Sequence, residues 1–348
     1  MTITAPAPVR RSALANVTPN WFATVMGTGI VAVAAVSVPL RLNGLRAAAE
    51  IVWVAAVLAL AAVTTATALH WRRHPRRARM HLDDPLMAHF YGAVPMALLT
   101  VGAGTLLVGR DLLGLRAAVD LDWTLWILGG TGGLATAAVI PYRAVTRHRA
   151  RPEQAFGGWL MSVVPPLVSA STGALLVPHA ALRQPMLVTC YGLFALGLAL
   201  SAPVAIMVIA RLGAGPAALV PTVWIVLGPL GQSVTAANLL GGLGGQRAHD
   251  FGRYYGALAG TTALVWLGVA VRSTIARRPP FALTWWSFTF PLGTCVTGAS
   301  ALARATGFEP LRLLSVTLFA GLVTAWLIVA TRTLRGLWTG ALLGHPPL

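Results

Sequence analysis

Long apolar segments alternate with short polar connections along the whole chain. Ten segments are each about 20 residues long, the length that a helix needs to cross the hydrocarbon core of a bilayer. They lie at about 20–40, 47–69, 86–109, 123–141, 155–177, 186–210, 217–241, 254–273, 281–303 and 311–333. The pattern therefore predicts an all-α integral membrane protein with a single ten-span domain over residues 19–336, a short N-terminal tail over 1–18 and a short C-terminal tail over 337–348.

The odd-numbered segments carry an internal repeat. In four of them a proline, at Pro95, Pro166, Pro229 or Pro291, is followed seven positions later by a very small residue, and Phe22 takes the place of the proline in the first segment. The copies begin 73, 71, 63 and 62 residues apart, a period that fits a two-helix hairpin used five times. A broken helix is tolerated in a bilayer only beside protein or a water-filled cavity. We therefore expect these prolines to kink the odd helices beside a shared central pathway.

Helical spacing brings one stripe of residues from each odd segment toward that pathway. In the ninth segment the stripe is Phe290, then Gly293 or Thr294, then Thr297. At the middle position of the stripe, the fifth segment has Val168 or Ser169 and the seventh has Gly231 or Gln232. The expected pore-lining residues are Trp21, Thr28, Val101, Thr172, Thr235, Gly293, Thr294 and Thr297. Such a path is narrow, neutral and weakly polar, although Pro, Gly and Thr also serve helix packing alone.

The threonine that precedes the small residue recurs in four of the five copies, as Thr28, Thr172, Thr235 and Thr297, with Val101 in the remaining copy. Two interpretations are open. The hydroxyl groups can donate hydrogen bonds to a partly dehydrated anion, or they can bond to the carbonyl group one turn earlier in their own helix.

Composition and charge agree with a membrane protein and predict its orientation. Hydrophobic residues make up 56% of the chain, charged residues 10%, and the mean hydropathy is +0.72. All 26 basic residues are arginine, and 17 of them lie in the two tails and the even-numbered connections, against 9 on the opposite side. By the positive-inside rule, both termini are predicted to face the cytoplasm. The charge of +17 is thus mainly a topology signal, and no basic domain for nucleic acid is expected.

Acidic residues are scarce, and the marked spans place all nine of them in connections or at span ends. A cation site built from carboxylates deep in the membrane is therefore not expected. His89, at the start of the third segment, is the most embedded titratable group on an odd helix and can be proton-sensitive or simply structural. The two cysteines, Cys190 and Cys295, lie in apolar spans without metal-site spacing, so neither a metal nor a cofactor is expected.

Two motifs resemble those of the tellurite-resistance/dicarboxylate transporter family. Residues 20–30 (NWFATVMGTGI) resemble its opening motif, and residues 285–291 (WWSFTFP) resemble its motif in the ninth span. The family includes bacterial tellurite-resistance proteins, the fungal malate permease, sulfite efflux pumps and the plant guard-cell slow anion channels. The resemblance covers nearly the whole chain. Two departures are that span one lacks the repeat proline and that the long cytoplasmic tails of the plant channels are missing.

The resemblance implies a fold and a gate. Five helical hairpins in a quasi-fivefold arrangement would place the odd helices around a central pore and the even helices outside, in a homotrimer with one pore per protomer. In the channel members a phenylalanine of the ninth helix plugs the pore, and the matching residue here is Phe290.

The expected function is transmembrane transport of small inorganic or organic anions by a multi-pass protein of the plasma membrane, in contact with membrane lipid. A gated anion channel with a proline-kinked pore is favoured. The alternatives are a proton-coupled C4-dicarboxylate permease of the malate type and an exporter of tellurite or sulfite. An intramembrane enzyme is a remote alternative, because the cluster His81, Asp83, Asp84 and His89 has no nucleophile arranged with it.

Overall fold

The computed structural model describes residues 13–40 and 42–344, and all regular structure within these ranges is helical. The α-helices are α1 Phe22–Ser37, α2 Leu45–Arg73, α3 Pro75–Asp83, α4 Ala93–Gly104, α5 Arg110–Leu113, α6 Leu115–Thr146, α7 Trp159–Val163, α8 Pro165–Leu176, α9 Arg183–Ala210, α10 Leu227–Leu243, α11 Gln246–Arg277, α12 Phe290–Thr306, α13 Glu309–Trp338 and α14 Ala341–Gly344. Short 3₁₀ helices cover Ala13–Asn16, Pro19–Trp21, Met87–Gly92, Pro152–Gln154, Val177–His179, Ala217–Val226 and Leu283–Phe288, and a π-helical turn covers Thr105–Gly109. The predicted all-α class is confirmed. The tail arginines Arg10 and Arg11 lie outside the described residues.

Eight helices in the described ranges are long and apolar enough to cross a membrane. The other two predicted spans, 155–177 and 281–303, are interrupted: α7 and α8 have only 5 and 12 residues, and α12 has 17. A proline stands directly after each interruption, Pro165 after residue 164 and Pro291 one residue after the start of α12. The protein is therefore a multi-pass membrane protein, and the count of ten spans stays a prediction.

Burial separates the helices into an inner and an outer set. In the apolar 18-residue stretch of each segment, 89% of the residues are buried in Pro19–Ser37 and 83% in Met87–Leu113, but only 11% in Leu45–Arg73. Exposed apolar side chains such as Ile51 and Leu58 cover the surface of α2. Since lipid tails solvate apolar side chains, the inner helices contain the packed core and the outer helices present its lipid-facing surface.

Each odd segment changes its helix type next to the repeat position. A short helical piece, mostly 3₁₀, precedes α1, α4, α8, α10 and α12. In all of them except α1, the repeat proline then stands within the first three residues of the α-helix. The first N–H groups of an α-helix have no partner inside the helix, so a proline there sacrifices no hydrogen bond. Pro95, Pro166, Pro229 and Pro291 thus mark where each α-helix begins rather than a bend within it.

The inner helices contact one another in a closed sequence. α1 packs against α4, α4 against α8, α8 against α10, α10 against α12, and α12 against α1. Each is also covered by the long helix that follows it in the chain, with α2 on α1 and α13 on α12. α10 and α12 are in close contact at Gly231, where an added Cβ would lie 2.5 Å from the backbone carbon of Thr294. These contacts leave space between the five inner helices.

Candidate functional site

A cavity of about 290 Å³, here called the central cavity, lies between the inner helices toward their C-terminal ends. All five inner helices contribute to its wall. The wall includes Ile30, Val33 and Ser37 of α1, Thr100 and Ala103 of α4, Val168, Ser171 and Thr172 of α8, Gln232 and Thr235 of α10, and Phe290, Thr297 and Arg304 of α12. Within the described wall there is no Asp, Glu, Lys or His, and Arg304 is its single charged residue. The wall of the cavity is thus mostly apolar, with several hydroxyl groups and one positive charge.

Phe290 separates the central cavity from a second cavity. It is 3% exposed and is the one described residue that lines both the central cavity and a small cavity of about 20 Å³. The small cavity is lined by Val164, Gly228, Phe290 and Pro291, among others, from the first turns of α8, α10 and α12 or directly before them. The phenyl ring therefore stands at the boundary between the two spaces.

A third cavity, the inner cavity, has a volume of about 320 Å³ and lies among the N-terminal ends of the odd segments. Trp21 lines it. Phe90 and Leu283 line both this cavity and the small cavity. Central, small and inner cavities thus follow one another, with Phe290 at one boundary and Phe90 and Leu283 at the other.

The threonine hydroxyl groups of the central cavity donate their hydrogen bonds within the protein. Thr172 Oγ1 donates to the carbonyl oxygen of Val168 at 2.9 Å, and Thr235 Oγ1 lies 2.9 Å from Thr297 Oγ1. Thr235 and Thr297 also donate to the carbonyl oxygens of Gly231 and Thr294, each at 3.1 Å. A hydroxyl group has a single hydrogen, and each of these hydrogens has an acceptor within the protein, either a carbonyl oxygen one turn earlier or the neighbouring threonine.

Gln232 supplies the amide of the central cavity. Its Nε2 donates to Ser171 Oγ, which itself donates to the carbonyl oxygen of Val168 at 2.9 Å. Its Oε1 is buried and has no hydrogen-bond partner in the part of the chain that the structure describes. An amide nitrogen has two hydrogens, so one N–H of Gln232 has no partner among the described residues. The sequence analysis leaves Gly231 and Gln232 as alternatives for the middle position of the stripe in the seventh segment. The polar amide of Gln232 is the signal that favours it over Gly231 as a cavity residue.

Four of the predicted pore-lining residues line none of the three described cavities. Thr28 Oγ1 accepts a hydrogen bond from Trp326 Nε1 of α13 at 3.2 Å, and Val101 is 2% exposed. Gly293 packs against Ile30, since an added Cβ there would lie 2.5 Å from Ile30 Cγ1. Thr294 donates to the carbonyl oxygen of Pro291 at 2.6 Å.

Two inner helices are turned relative to the predicted stripe. α1 faces the cavity with Ile30 and Ser37, and α4 faces it with Thr100. Thr100 Oγ1 donates to the carbonyl oxygen of Met96 at 2.7 Å, so its hydrogen is also spent. Of the predicted threonines, the structure brings together Thr172, Thr235 and Thr297, with Phe290 beside them.

Arg304 is a cavity residue that the sequence analysis missed. It stands at the C-terminal end of α12 and its Nη1 donates to the carbonyl oxygen of Ser37 at 2.7 Å. Phe290, Thr297 and Arg304 follow one another at intervals of seven residues, which places them on one face of the helix. Extending the stripe by two more turns would have found it.

His89 is held in a structural environment. It is 3% exposed, its Nδ1 lies 3.2 Å from Ser162 Oγ, and its ring is stacked on Trp159 with centroids 5.4 Å apart. None of the described cavity walls includes it. These contacts fix the ring but provide no route for a proton to the cavities.

The substitution His89→Gln is therefore expected to leave the pH dependence of anion flux unchanged, because the imidazole does not face the path. Flux into vesicles measured from pH 5 to pH 8 in the wild type and the variant checks this. A pH profile that flattens in His89→Gln, while Ser162→Ala keeps the wild-type profile, would contradict the structural role.

Asp122 corrects the expectation that every acidic residue lies in a connection or at a span end. α6 begins at Leu115, earlier than the predicted start at 123, so Asp122 lies inside this helix. It is 0% exposed, and neither of its carboxylate oxygens has a hydrogen-bond partner among the described residues. It packs near Gly102 of α4 and is not part of the described cavity walls. A buried carboxylate is thus present, but outside the central cavity.

The acidic residues considered for an enzyme have structural partners. Asp83 accepts from Arg143 Nη2 at 2.6 Å and from Arg147 Nη1 at 2.8 Å. Asp84 Oδ1 accepts from the backbone N–H groups of residues 86 and 87, each at 2.8 Å. Burial lowers the pKa of His81, the neighbouring His70 lowers it further, and Asp84 opposes both. Within the described chain these groups stabilise the loop between α3 and α4.

Comparisons with known proteins indicate that this chain resembles transport proteins. A sequence model of the SLAC1 family, described as voltage-dependent anion channel, matches residues 16–334. The chain is 25% identical to a sulfite efflux pump SSU1 of Arthroderma otae over 84% of this chain and 83% of that protein. It is 25% identical to an uncharacterized transporter of Methanocaldococcus jannaschii over 95% and 98%. It is 24% identical to a sulfite efflux pump SSU1 of Trichophyton rubrum over 92% and 91%.

Proposed function

The chain belongs to the SLAC1 family of voltage-dependent anion channels, and from this premise we propose that it is an anion channel whose central path is closed by Phe290. The observation that carries the proposal is the position of this ring, which is 3% exposed and lines the cavities on both of its sides. A ring that fills the boundary between two cavities blocks the passage of hydrated ions, and its removal joins them.

The charges along the path support an anion as the transported species. Arg304 is the single charge in the described wall of the central cavity, and the carboxylate of Asp122 lies outside it. The small cavity lies at the N-terminal ends of α8, α10 and α12. Helix N-termini carry partial positive charge, so the path attracts anions at both of these points and repels cations.

The contacts between helices support the finer architecture that we propose. The closed sequence of contacts from α1 through α12, with one long helix covering each inner helix, fits five hairpins in a quasi-fivefold arrangement. The broken segments 155–177 and 281–303 then complete ten spans of a domain over 19–336. The arginine distribution supports cytoplasmic tails and insertion in the plasma membrane. A homotrimer with one pore per protomer is part of the same proposal and rests on the family.

Sulfite export is the second candidate function. It is favoured because the curated relatives named as sulfite efflux pumps cover most of this chain. Sulfite is a small anion, and the same cavities would serve it. A proton-coupled malate permease requires a titratable group on the path, and the described walls of the central and small cavities contain none that titrates near neutral pH.

Flux measurements in proteoliposomes test the proposal. Wild-type protein is reconstituted, and gradients of chloride, nitrate, sulfite and malate are imposed with and without a pH gradient. We expect a low downhill flux of the small inorganic anions that does not need the pH gradient. Flux that requires the pH gradient and is selective for malate would replace the channel by a coupled carrier.

Gln232 is proposed to hold the anion in the central cavity, because its amide N–H is free while the threonine hydrogens are spent. In a channel opened at Phe290, Gln232→Leu is expected to lower the flux of nitrate and sulfite about tenfold, the equivalent of one hydrogen bond to a charged group. The double variant Thr172→Val and Thr297→Val is the matched control and should keep the anion selectivity. Loss of selectivity in the double variant, with Gln232→Leu unchanged, would assign the donor role to the threonines.

A further inference from the structure

A further cavity lies beside the inner cavity and outside the space between the five inner helices. It has a volume of about 410 Å³, is found where α9 and α11 end, and is here called the basic pocket. Its charged and amide side chains are those of Arg211, Arg272, Arg277, Glu153 and Gln154. Leu86 and Leu219 line both the basic pocket and the inner cavity, so the two spaces open on the same face of the protein.

Arg277 is held in place by the loop that follows α9. Its Nη1 donates to the carbonyl oxygen of Gly213 at 2.6 Å, and its Nη2 donates to that of Gly215 at 2.8 Å. Both glycines have positive φ, 85° and 84°, a conformation that other residues rarely adopt. A guanidinium group has five N–H donors, so three remain on a group whose orientation the loop has already fixed.

The other two arginines are without partners in the described part of the chain. The side chains of Arg211 and Arg272 are exposed and form no hydrogen bond or ion pair with described residues. Glu153 is the single acidic residue in the described wall of the pocket and forms no ion pair with described residues. Three positive charges against one negative charge make the pocket a site for an anionic group.

The location of the basic pocket indicates where that anionic group comes from. Exposed apolar side chains, among them Ile206 and Ile209 of α9 and Ile275 of α11, lie just before the arginines on the outer surface. Val208 and Val223 line the pocket beside the charged groups. Arginines at the end of lipid-facing helices stand at the depth of the lipid headgroups, and the pocket therefore offers both an anion site and an apolar wall.

We propose that the basic pocket binds the phosphate of an anionic lipid, with Arg277 as the fixed contact and Arg211 and Arg272 as the groups that close on it. Phosphate accepts several N–H donors at once, and guanidinium groups match its geometry. Free inorganic phosphate has the same chemistry and is the alternative source. The inference does not depend on the proposed transport function.

Native mass spectrometry of the detergent-purified protein tests the proposal by titration with phosphatidylglycerol and with phosphatidylcholine. The wild type is expected to retain phosphatidylglycerol preferentially. The variant Arg211→Gln with Arg272→Gln should weaken its tightest binding roughly thirtyfold, from the loss of two charges at a membrane surface. Arg211→Lys with Arg272→Lys keeps both charges and should retain most of the preference, which also shows that the site tolerates substitution.

The matched control is Arg76→Gln with Arg79→Gln, which removes the same charge from exposed arginines of α3. It should leave the tightest binding unchanged. Equal loss in the control and in the pocket variant would overturn the proposal, as would wild-type binding without preference for phosphatidylglycerol. If inorganic phosphate binds the wild type in calorimetry and the pocket variant does not, while lipid preference is absent, the ligand is the free anion and not the lipid.

Discussion

Replacing Phe290 with alanine is expected to raise anion flux through reconstituted vesicles at least about tenfold, since lowering a barrier by about 1.4 kcal/mol has this effect. The ring is the one described group that lines both the central and the small cavity, so its removal merges them into one path. The flux of chloride and nitrate down an imposed gradient, followed by the quenching of an anion-sensitive dye, measures the change.

Phe288→Ala is the matched control for this prediction. Phe288 is buried two positions away and packs against Trp224 and Trp285, and it lines none of the three cavities of the path. Its removal creates a void in the core but opens no path, so flux should stay near the wild-type level at equal amounts of folded protein. Flux unchanged in Phe290→Ala, or raised equally in Phe288→Ala, would show that the ring is a packing element. If wild-type flux needs a pH gradient and Phe290→Ala abolishes it, the ring shapes the binding site of a carrier.

Reversing the charge of Arg304 is the second change with a large expected effect. Two unit charges about 8 Å apart interact by roughly 2 kcal/mol at an effective dielectric constant near 20. Arg304→Glu in the Phe290→Ala background replaces this attraction for an anion by repulsion, at the end of the central cavity. Because the side chain is exposed and screened, we expect a loss of anion flux of about tenfold at low ionic strength, which becomes smaller as salt is added.

Arg312→Glu provides the control for Arg304. Arg312 lies on α13, is exposed, and forms an ion pair with Glu309 at 2.9 Å outside the described cavity walls. The same change in net charge at this position should alter flux little. An equal loss in both variants would mean that the overall field of this face, rather than a charge at the cavity, sets the rate. A loss that does not diminish with salt would indicate a structural effect through the bond of Arg304 to Ser37.

Local chemistry explains why much of the fold could be predicted. The lengths of the apolar segments and the positions of Pro95, Pro166, Pro229 and Pro291 are properties of single helices, and the structure places each proline at the start of an α-helical segment. The inner or outer position of a helix also follows from composition, since lipid-facing surfaces must be apolar while packed ones need small residues. Helical spacing placed Phe290 on the predicted stripe beside one of these breaks, and the family resemblance identified it as the candidate gate.

The hydrogen-bond state of the polar side chains could not be predicted in the same way. The hydroxyl groups of Thr172, Thr235 and Thr297 are spent on neighbouring carbonyl groups, whereas the amide of Gln232 keeps a free N–H. Which donor is free depends on what lies across the cavity, such as Ser171 of another helix. A sequence pattern contains the residue types but not these partners.

The sequence by itself determined that this is an all-α membrane protein with repeated broken helices, and it placed Phe290 on the predicted stripe of the ninth segment, where the family resemblance implies a gate. Only the tertiary structure decided which residues of α1 and α4 face the central cavity, and that Arg304 reaches it beside Ser37. The physical reason is that the rotation of a helix about its axis is set by close packing against neighbours, as between Gly231 and Thr294. Periodicity defines a face of a helix, whereas the neighbouring helices determine where that face points.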